Sequence, residues 1–501
     1  MKKTIDEINE RIRSGSVAVV TADQMCEIVE ELGPEQAAKE VDVVTTGTFG
    51  AMCSSGAFLN FGHADPPMKL ADIRLNNVKA YGGIAAVDVF IGATESSSTE
   101  GMAYGGGHVI EDLVRGKSID VYARSQGSDC YPMQELETTI RIDDLNQAIM
   151  LNPRNAYQRY AVATNSTERV IDTYMGTLFP NFQNATYSGA GELSPIANDP
   201  NFETIGIGTR IFLCGGEGYI IGEGTQHNPA ERFGTLMVKG DMKGMDPEFL
   251  RGASFKRYGT TLYVGLGVPI PILNEKIAEN TGVRDEDLMT DVIDYGIPRR
   301  KRPLLGTVSY KDLKSGEIEI EGGRVIKTYP LSSYYLAMKV ADTLADWIKK
   351  GEFFITEPVK SLPRDTIQKP MRQTKQHPFV MDVMQDNVVT VGEDYNIQQI
   401  AETMVKEEVT QVPVVSKDNT LVGMLTAWDI ARVVAENREA NAGEIMTRNV
   451  LTAYPDEPVA HAARMIEKYN ISALPVVDSK NHVIGIITGD RISRLIGGMR
   501  R

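Results

Sequence analysis

Hydrophobic and polar positions near the start of the chain follow the periods of two helices and two strands. Apolar residues spaced three and four apart predict amphipathic helices over about Thr4–Ser14 and Ala22–Leu32. Thr4 and Glu7 fit a capping box at the start of the first helix, and Gly15 ends it. Short apolar runs at Val17–Val20 and Val41–Val44 predict buried strands. A strand, a helix and a strand within about thirty residues form a βαβ unit, which favours a parallel sheet.

The next three hundred or so residues combine apolar runs with glycine-rich segments such as Tyr104–His108 and Cys214–Gly218. Glycines of this kind let the backbone turn tightly or approach a ligand closely. A closing helix is predicted over about Ser333–Lys350. We therefore assign residues 1–356 to one large α/β domain, and residues 357–379, which are rich in proline and basic side chains, to a linker.

Beyond the linker the chain repeats itself with a period of about 62 residues, so residues 380–438 and 439–501 form two similar domains. Matching positions are Met384 and Met446, Gly423 and Gly485, and Thr426 and Thr488. Each copy has the pattern of a strand, a helix, two strands and a helix. Two copies are expected because each alone leaves an apolar face that its twin covers.

The segments VPVV, LPVV, GMLTAWD and GIIT within these copies resemble CBS domains, which usually occur as a tandem pair. The resemblance implies that a Thr and an Asp three residues later hold the ribose of an adenosyl ligand, and Thr426 and Asp429 match this spacing. Thr488 is followed by Asp490 after two residues, so the second cleft departs from the pattern. We expect S-adenosylmethionine or a relative as a regulatory ligand, and a homodimer formed through the pair. The alternative is a pair that only mediates dimerisation.

The charge and hydrophobicity of the chain argue against two classes of partner, nucleic acids and membranes. The chain has 52 Lys and Arg against 67 Asp and Glu, a net charge of -15, which disfavours nucleic acid as a partner. No apolar stretch is long enough to span a bilayer, and the basic start is not followed by an apolar run typical of a signal peptide. We therefore expect a cytoplasmic protein with no membrane partner.

Four cysteines, Cys26, Cys53, Cys130 and Cys214, are widely separated and form no C-x-x-C motif. This spacing argues against a metal site and favours thiol chemistry. Cys26 and Cys214 lie in apolar surroundings and are predicted to be buried. No tightly bound cofactor is expected.

The other two cysteines lie in segments suited to a reactive thiol. Cys53 follows a strand that ends near Thr46, at a position where we expect a helix to begin and to activate the thiol through its N-terminal N–H groups. Cys130 lies in a polar and accessible loop. His63 and His108 are candidate proton donors or acceptors, although a lone histidine is often structural.

Three further segments, VVTTGTFGAMCSSGAFLNFGH, SQGSDCYP and GGEGYIIGEGTQHNP, together with the CBS pair, resemble the sulfur-incorporating homocysteine-biosynthesis proteins of anaerobic prokaryotes. These are L-aspartate semialdehyde sulfurtransferases, and the resemblance covers essentially the whole chain. It implies that Cys130 and Cys53 are catalytic, with Cys130 favoured as the persulfide carrier. It also implies L-aspartate semialdehyde and sulfide as substrates, and a small ferredoxin-like iron–sulfur protein as the electron donor.

The predicted fold is thus α/β, with a large glycine-rich catalytic domain followed by a tandem CBS (βαββα) pair. We also hypothesise that the basic run Arg299–Arg302 docks the acidic electron donor. Two alternatives stay open at this point. One is an IMP-dehydrogenase-like enzyme, because residues 127–130 match Gly-Ser-x-Cys, although CBS domains in that family are inserted within a barrel. The other is a non-catalytic sensor of adenosyl ligands.

Overall fold

The computed structural model divides the chain into two compact units. It describes residues 2–371, 378–478 and 480–498. The first unit comprises Met1–Asp294 and Leu304–Pro370, and the second comprises Tyr295–Pro303 and Met371–Arg501. The predicted linker is therefore divided between the two units, and its residues 372–377 lie outside the described part of the chain.

Helices are distributed over both units, and among those described none is long and apolar enough to cross a membrane. In the first unit they are α1 Ile5–Ser14, α2 Ala22–Leu32, α3 Pro34–Glu40, α4 Gly106–Val114, α5 Pro195–Asn198, α6 Glu275–Thr281, α7 Tyr310–Ser315 and α8 Tyr334–Lys349. In the second unit they are α9 Ile397–Lys406, α10 Ala427–Ala435, α11 Ala442–Ile445, α12 Val459–Tyr469 and α13 Gly489–Gly498.

Strands make up most of the first unit. Up to the middle of the chain they are β1 Val19–Thr21, β2 Val43–Thr45, β3 Thr48–Ala51, β4 Gly56–Asn60, β5 Asp72–Leu75, β6 Val78–Tyr81, β7 Asp88–Gly92, β8 Ser96–Ser97, β9 Gly101–Gly105, β10 Ile119–Arg124, β11 Glu135–Ile140, β12 Gln147–Asn155, β13 Val162–Thr164, β14 Ile171–Thr173, β15 Gly176–Leu178 and β16 Asn184–Tyr187. They continue with β17 Gly206–Ile207, β18 Arg210–Leu213, β19 Gly216–Glu223, β20 Leu236–Asp241, β21 Leu250–Phe255, β22 Gly259–Gly267, β23 Pro269–Pro271, β24 Met289–Asp294, β25 Leu304–Ser309, β26 Glu317–Ile320, β27 Arg324–Pro330 and β28 Lys360–Ser361. The second unit has β29 Val391–Gly392, β30 Gln411–Val415, β31 Leu421–Thr426, β32 Ala473–Val477 and β33 Val483–Thr488.

The first helix forms where its sequence signals place it. The Thr4 hydroxyl accepts the backbone N–H of Glu7, and the Glu7 carboxylate accepts the N–H of Thr4 at 2.8 Å, which satisfies two unpaired donors at the helix start. Gly15 ends the helix in the left-handed conformation, with φ of 70°. Ile8 and Ile12 lie on its buried face, as their spacing predicts.

The predicted βαβ unit is present, but it does not set the architecture. Strands β1 and β2 pair in parallel, with α2 and α3 between them in sequence. They belong to a three-stranded sheet that β23 completes in the antiparallel sense. Within the described residues the largest sheet has 15 strands, and its pairings are antiparallel, such as β12 with β4 and β20. The α/β class is confirmed. Parallel pairing also occurs in the six-stranded sheet, where β13 pairs with β24 and β16 with β27.

Helix α8 lies against the sheets of the first unit. Ser333 caps it by accepting the Leu336 N–H at 3.2 Å. Its buried face presents Val340, Leu344 and Ile348 to a core that also contains Phe212. Burying such side chains contributes about 1.5–3 kcal/mol each before the entropic cost of ordering them. The closing helix is therefore an integral part of the domain core.

The repeated residues of the second unit meet across the two copies. A Cβ atom added to Gly485 would lie 2.5 Å from the Met384 sulfur, and one added to Gly423 would lie 2.3 Å from the Met446 sulfur. Each methionine thus packs on a glycine of the opposite copy, where a larger residue would displace the methionine side chain. This reciprocal packing explains why the methionines and glycines recur at the repeat period.

Candidate active site and ligand cleft

Cys53 lies in a tight turn between two strands, and not at the start of a helix as its sequence context suggested. The Ser55 N–H donates to the Met52 carbonyl at 3.0 Å across this turn, which joins β3 to β4. The predicted helix is wrong because β3 pairs with β22, more than two hundred residues away. The Cys53 sulfur instead accepts a hydrogen bond from the Thr261 hydroxyl of β22 at 3.2 Å.

The sulfur of Cys53 faces a cavity of about 230 Å³ within the first unit. This volume lies below the range of about 300–1,000 Å³ typical of pockets for drug-sized ligands, so it suits a small metabolite. Four tyrosines form much of the wall, and these are Tyr157, Tyr160, Tyr174 and Tyr258. Arg154, from the end of β12, supplies a positive charge.

The surroundings of two of these tyrosines raise the pKa values of their hydroxyls. Burial, together with the neighbouring Cys53 thiol, raises the pKa of Tyr258 to about 12. Burial also raises the pKa of Tyr157, against the opposing effect of Arg154. Both hydroxyls therefore stay protonated at neutral pH and can donate a hydrogen bond or a proton to a carbonyl oxygen in the cavity.

Cys130 lies in an exposed loop between β10 and β11. The loop is closed by reciprocal backbone hydrogen bonds between Ser128 and Tyr131, at 2.9 and 3.1 Å. The Ser128 hydroxyl also lies 3.6 Å from the Cys130 sulfur. His63 stacks on the Tyr131 ring at 5.8 Å between centroids. The structure therefore brings the candidate proton donor His63 next to the Cys130 loop.

Cys53 and the loop that carries Cys130 lie near opposite ends of β4. Cys53 precedes this strand, whereas His63, which contacts the Cys130 loop, follows it. A strand of five residues extends about 16 Å at roughly 3.3 Å per residue. The two sulfurs are therefore not in contact in this conformation, and the Cys130 loop does not line the Cys53 cavity.

His108 has a local partner outside the cavity. Its Nδ1 atom accepts the Gly105 N–H at 3.2 Å at the start of α4. Its ring stacks on Tyr104 at 5.2 Å between centroids. Burial lowers the pKa of His108, although the nearby Glu111 carboxylate raises it in part. His108 therefore serves as a neutral ring that caps the start of α4. It does not line the Cys53 cavity.

The other two cysteines are buried, as their sequence context predicts. Burial raises the pKa of Cys26 and the pKa of Cys214 to about 12 each, so both remain neutral thiols. Across the described residues, no group of three or more His, Cys, Asp and Glu side chains is placed to bind a metal ion.

We expect Cys26→Ser and Cys214→Ser to lower the free energy of unfolding by about 1 kcal/mol each, the usual size of a core substitution. Both should leave the catalytic rate nearly unchanged, because neither sulfur lines the cavity. Denaturant unfolding of the two variants measures the first effect, and an activity assay measures the second. A severe loss of activity at unchanged stability would instead assign a chemical role to the substituted thiol.

The basic run that we hypothesised as a docking surface is partly occupied by contacts within the second unit. Arg299 forms an ion pair with Asp456, and the Arg302 guanidinium lies 4.1 Å from the centre of the Tyr295 ring. The two cations between them are exposed. The docking of a partner on this run remains a hypothesis that now rests on Arg300 and Lys301.

The two candidate adenosyl clefts differ in geometry. Thr426 caps α10, and its hydroxyl donates to the Asp429 carboxylate at 2.7 Å. In the second copy the Thr488 hydroxyl accepts the Arg491 N–H at 3.3 Å, and Asp490 is exposed. The Thr-x-x-Asp spacing is thus also a helix-capping box. The hydroxyl oxygen of Thr426 and the carboxylate oxygens of Asp429 can each still form a hydrogen bond with a ribose hydroxyl.

Sequence reasoning missed the residues that surround Cys53. Arg154, Tyr157, Tyr258 and Thr261 come from separate segments that only the fold brings together. The sequence did contain one signal of the bulge that carries Arg154. Pro153 interrupts the apolar run of β12, and a proline within a strand often marks a bulge.

Comparisons with known proteins bear on both units. Residues 17–355 match a family described as "Homocysteine biosynthesis enzyme, sulfur-incorporation", and residues 380–436 and 442–498 match the CBS domain family. An L-aspartate semialdehyde sulfurtransferase of Methanosarcina acetivorans is 55% identical over 99% of both chains. A protein of the same name from Methanocaldococcus jannaschii is 54% identical, again over 99% of both.

A solved CBS-domain pair in complex with 5′-methylthioadenosine and S-adenosyl-L-methionine shares 42% identity and covers 25% of this chain and 99% of its own, with a TM-score of 0.24. The full-length matches confirm the resemblance drawn from the sequence motifs, and they exclude the sensor and the IMP-dehydrogenase-like alternatives. The chain therefore belongs to the L-aspartate semialdehyde sulfurtransferase family of homocysteine-biosynthesis enzymes and carries a tandem CBS pair.

Proposed function

We propose that the enzyme converts L-aspartate semialdehyde to L-homocysteine with two thiols in separate roles. Cys130 receives sulfur as a persulfide at the surface, and Cys53 passes that sulfur to the aldehyde in the cavity. The observation that supports this division is the contrast between an exposed thiol on a loop and a half-buried thiol that lines a cavity. The first can reach a sulfur donor, and the second can hold sulfur beside a bound substrate.

The number of electrons that the reaction consumes depends on the sulfur donor. Transfer of a sulfane sulfur to the Cys130 thiolate forms one S–S bond and breaks one in the donor, and exchange from Cys130 to Cys53 does the same. The terminal sulfur then bonds to the aldehyde carbon. Counted from the persulfide, four electrons and four protons release the thiol product, water and the free cysteine. Counted from sulfide, the net conversion consumes two electrons, but sulfide reaches the persulfide level only when an acceptor removes two electrons from it. The sulfur donor in this proposal is therefore sulfane sulfur, which is already at that level.

The electrons come, in this proposal, from a small ferredoxin-like iron–sulfur protein, as the family resemblance implies. Tyr258 and Tyr157 can protonate the carbonyl oxygen as it leaves as water, because their raised pKa values keep them protonated. Exchange between the two sulfurs requires the Cys130 loop to approach the cavity, since β4 separates them in this conformation.

The direct test is homocysteine formation by the whole enzyme from L-aspartate semialdehyde, polysulfide as the sulfane-sulfur donor and a chemically reduced ferredoxin. We expect product only when all three are present, and loss of product when the ferredoxin is supplied oxidised. A rate that does not depend on the ferredoxin would remove this class of electron donor from the proposal.

We also propose that the CBS pair binds S-adenosylmethionine or a related adenosyl compound and thereby regulates the enzyme. Homocysteine is a precursor of methionine and S-adenosylmethionine, so such binding provides end-product feedback. The support is the Thr426–Asp429 pair in the first copy, whose oxygens lie together at the start of α10. Binding changes activity only if the ligand prefers one arrangement of the protein over another. Dimerisation through the pair is part of the same proposal.

Asp429→Ala is expected to weaken adenosyl-ligand binding by about 1.5–3 kcal/mol, the range for hydrogen bonds to a charged group. Calorimetry of the whole chain with S-adenosylmethionine, 5′-methylthioadenosine and AMP measures this change. Because Asp429 also caps α10, Glu444→Ala is the matched control. Glu444 makes the equivalent capping contact with Asn441 at the start of α11, at 3.1 Å, so its loss should leave ligand affinity unchanged. No heat with any of the three ligands would favour a role in dimerisation alone.

A further inference from the structure

We infer that Arg154 binds the substrate carboxylate in the Cys53 cavity and thereby selects an amino-acid aldehyde over a simple aldehyde. This inference rests on the proposed function, because it concerns the substrate of the same cavity. It names a binding residue that neither the sequence motifs nor the family resemblance points to.

The unsatisfied hydrogen-bonding capacity of Arg154 is the first observation. Its Nε atom is buried and has no hydrogen-bond partner among the described residues. Its guanidinium also forms no ion pair with any described carboxylate. A partly buried cation without a counter-charge is costly, and an anion that enters the cavity offsets that cost.

The composition of the cavity wall is the second observation. Among the described lining residues, Arg154 is the one with a charge at neutral pH, and the polar remainder consists of hydroxyl, thiol and amide groups. The cavity therefore favours a small anion. A carboxylate suits a guanidinium best, because two parallel N–H···O bonds match the spacing of its two oxygens.

The third observation is a hydrogen-bond chain that fixes Arg154 relative to Cys53. The register of β12 shifts between Asn152 and Asn155, and this bulge redirects Arg154. The backbone N–H of Arg154 donates to the side-chain carbonyl oxygen of Asn152 at 3.1 Å. The Asn152 amide donates to the Ser55 hydroxyl at 2.7 Å, and Ser55 donates to the Met52 carbonyl at 2.7 Å.

This buried chain connects the guanidinium-bearing bulge to the turn that carries Cys53. Asn152 is fully buried and Ser55 nearly so, so water does not compete for these bonds. Such support holds two groups at a fixed separation, which a reaction between a bound aldehyde and a sulfur requires. The aldehyde and the carboxylate lie at opposite ends of the four-carbon substrate, so an anchored carboxylate leaves the carbonyl free to reach the sulfur.

The test compares two substrates on three enzymes. L-Aspartate semialdehyde carries the carboxylate, and 3-aminopropanal is the same aldehyde without it. We expect the unmodified enzyme to prefer the first by about 10- to 100-fold in kcat/KM, and Arg154→Gln to lose most of that preference. Arg159→Gln is the matched control, because Arg159 pairs with Asp291 at 3.1 Å and lies outside the cavity lining.

Equal preference in Arg154→Gln and in the unmodified enzyme would overturn the inference, and so would an equal loss with both substrates. The denaturant midpoint of each variant serves as the independent readout of folding, because it does not involve the semialdehyde. If the unmodified enzyme forms no homocysteine, the proposed function fails. If it forms homocysteine but Arg154→Gln keeps the preference, only the inference about Arg154 fails.

Discussion

Replacement of Cys130 by serine is expected to lower homocysteine formation by roughly a thousandfold or more, because a hydroxyl cannot carry sulfur as a persulfide. Cys53→Ser should cause a loss of similar size, since the sulfur has to reach the aldehyde within the cavity. Steady-state homocysteine formation from L-aspartate semialdehyde, polysulfide and reduced ferredoxin measures both effects.

Mass spectrometry separates the roles of the two thiols. After exposure to polysulfide, Cys53→Ser should still gain one sulfur atom on Cys130, because that thiol is exposed. In Cys130→Ser, brief exposure should leave Cys53 unloaded. Cys214→Ser is the control with a fully buried thiol and should load normally at Cys130. Full activity of Cys130→Ser, or rapid loading of Cys53 without it, would contradict the proposed order.

The second large effect concerns stability and involves Asp42, whose side chain is 1% exposed. Its carboxylate accepts hydrogen bonds from Lys3 Nζ and from the Arg11 guanidinium at 2.8 Å each, and from the Ala18 N–H at 3.0 Å. Asp42→Ala leaves the buried Lys3 ammonium without its counter-charge. We expect the free energy of unfolding to fall by about 3–5 kcal/mol.

Denaturant unfolding with a matched surface pair as the control measures this effect. Glu35 pairs with Lys39 at 2.9 Å, but its side chain is 70% exposed, so Glu35→Ala should leave the unfolding midpoint unchanged. If Asp42→Ala shifts the unfolding midpoint as little as Glu35→Ala does, the buried ion pair does not hold α1 to the domain.

The elements that could be predicted from sequence are those with strong local signals. The capping box of Thr4 and Glu7 and the terminating Gly15 located α1. The period of the CBS repeat located the helices and the strand pair of each copy, because its methionines and glycines recur where the two copies pack on each other. The strand predicted before the helix is β29 in the first copy, but at the matching place in the second copy the described residues show only an isolated bridge between Ala453 and Val476. Signals of this kind act within a few residues or repeat at a fixed interval, so they are visible without the fold.

The environment of Cys53 could not be predicted, for a physical reason. Strand β3 pairs with β22 far along the chain, and that pairing overrides the local preference of a small-residue segment for a helix start. Non-local strand pairing leaves no periodic trace in the segment itself. The sequence therefore identified the thiol but not its turn, its cavity or Arg154 in the cavity wall.

The Thr426–Asp429 pair shows how one spacing can serve two purposes. The residues were selected because they match the ribose-binding pattern of CBS domains, and they also form the capping box of α10. A threonine and an acid three residues apart satisfy both requirements, so the spacing alone does not separate a helix cap from a ligand site. The comparison of Asp429→Ala with Glu444→Ala makes this distinction experimentally.

Sulfur transfer from Cys130 to the product is tested most directly by a single turnover with isotopically labelled sulfur. The enzyme is loaded with ³⁴S-polysulfide, freed of excess donor, and then mixed with L-aspartate semialdehyde and reduced ferredoxin. We expect the label to leave the protein and to appear in homocysteine in an amount equal to the persulfide initially present on Cys130. Homocysteine that contains no label, or label that stays on Cys130 while product forms, would contradict it.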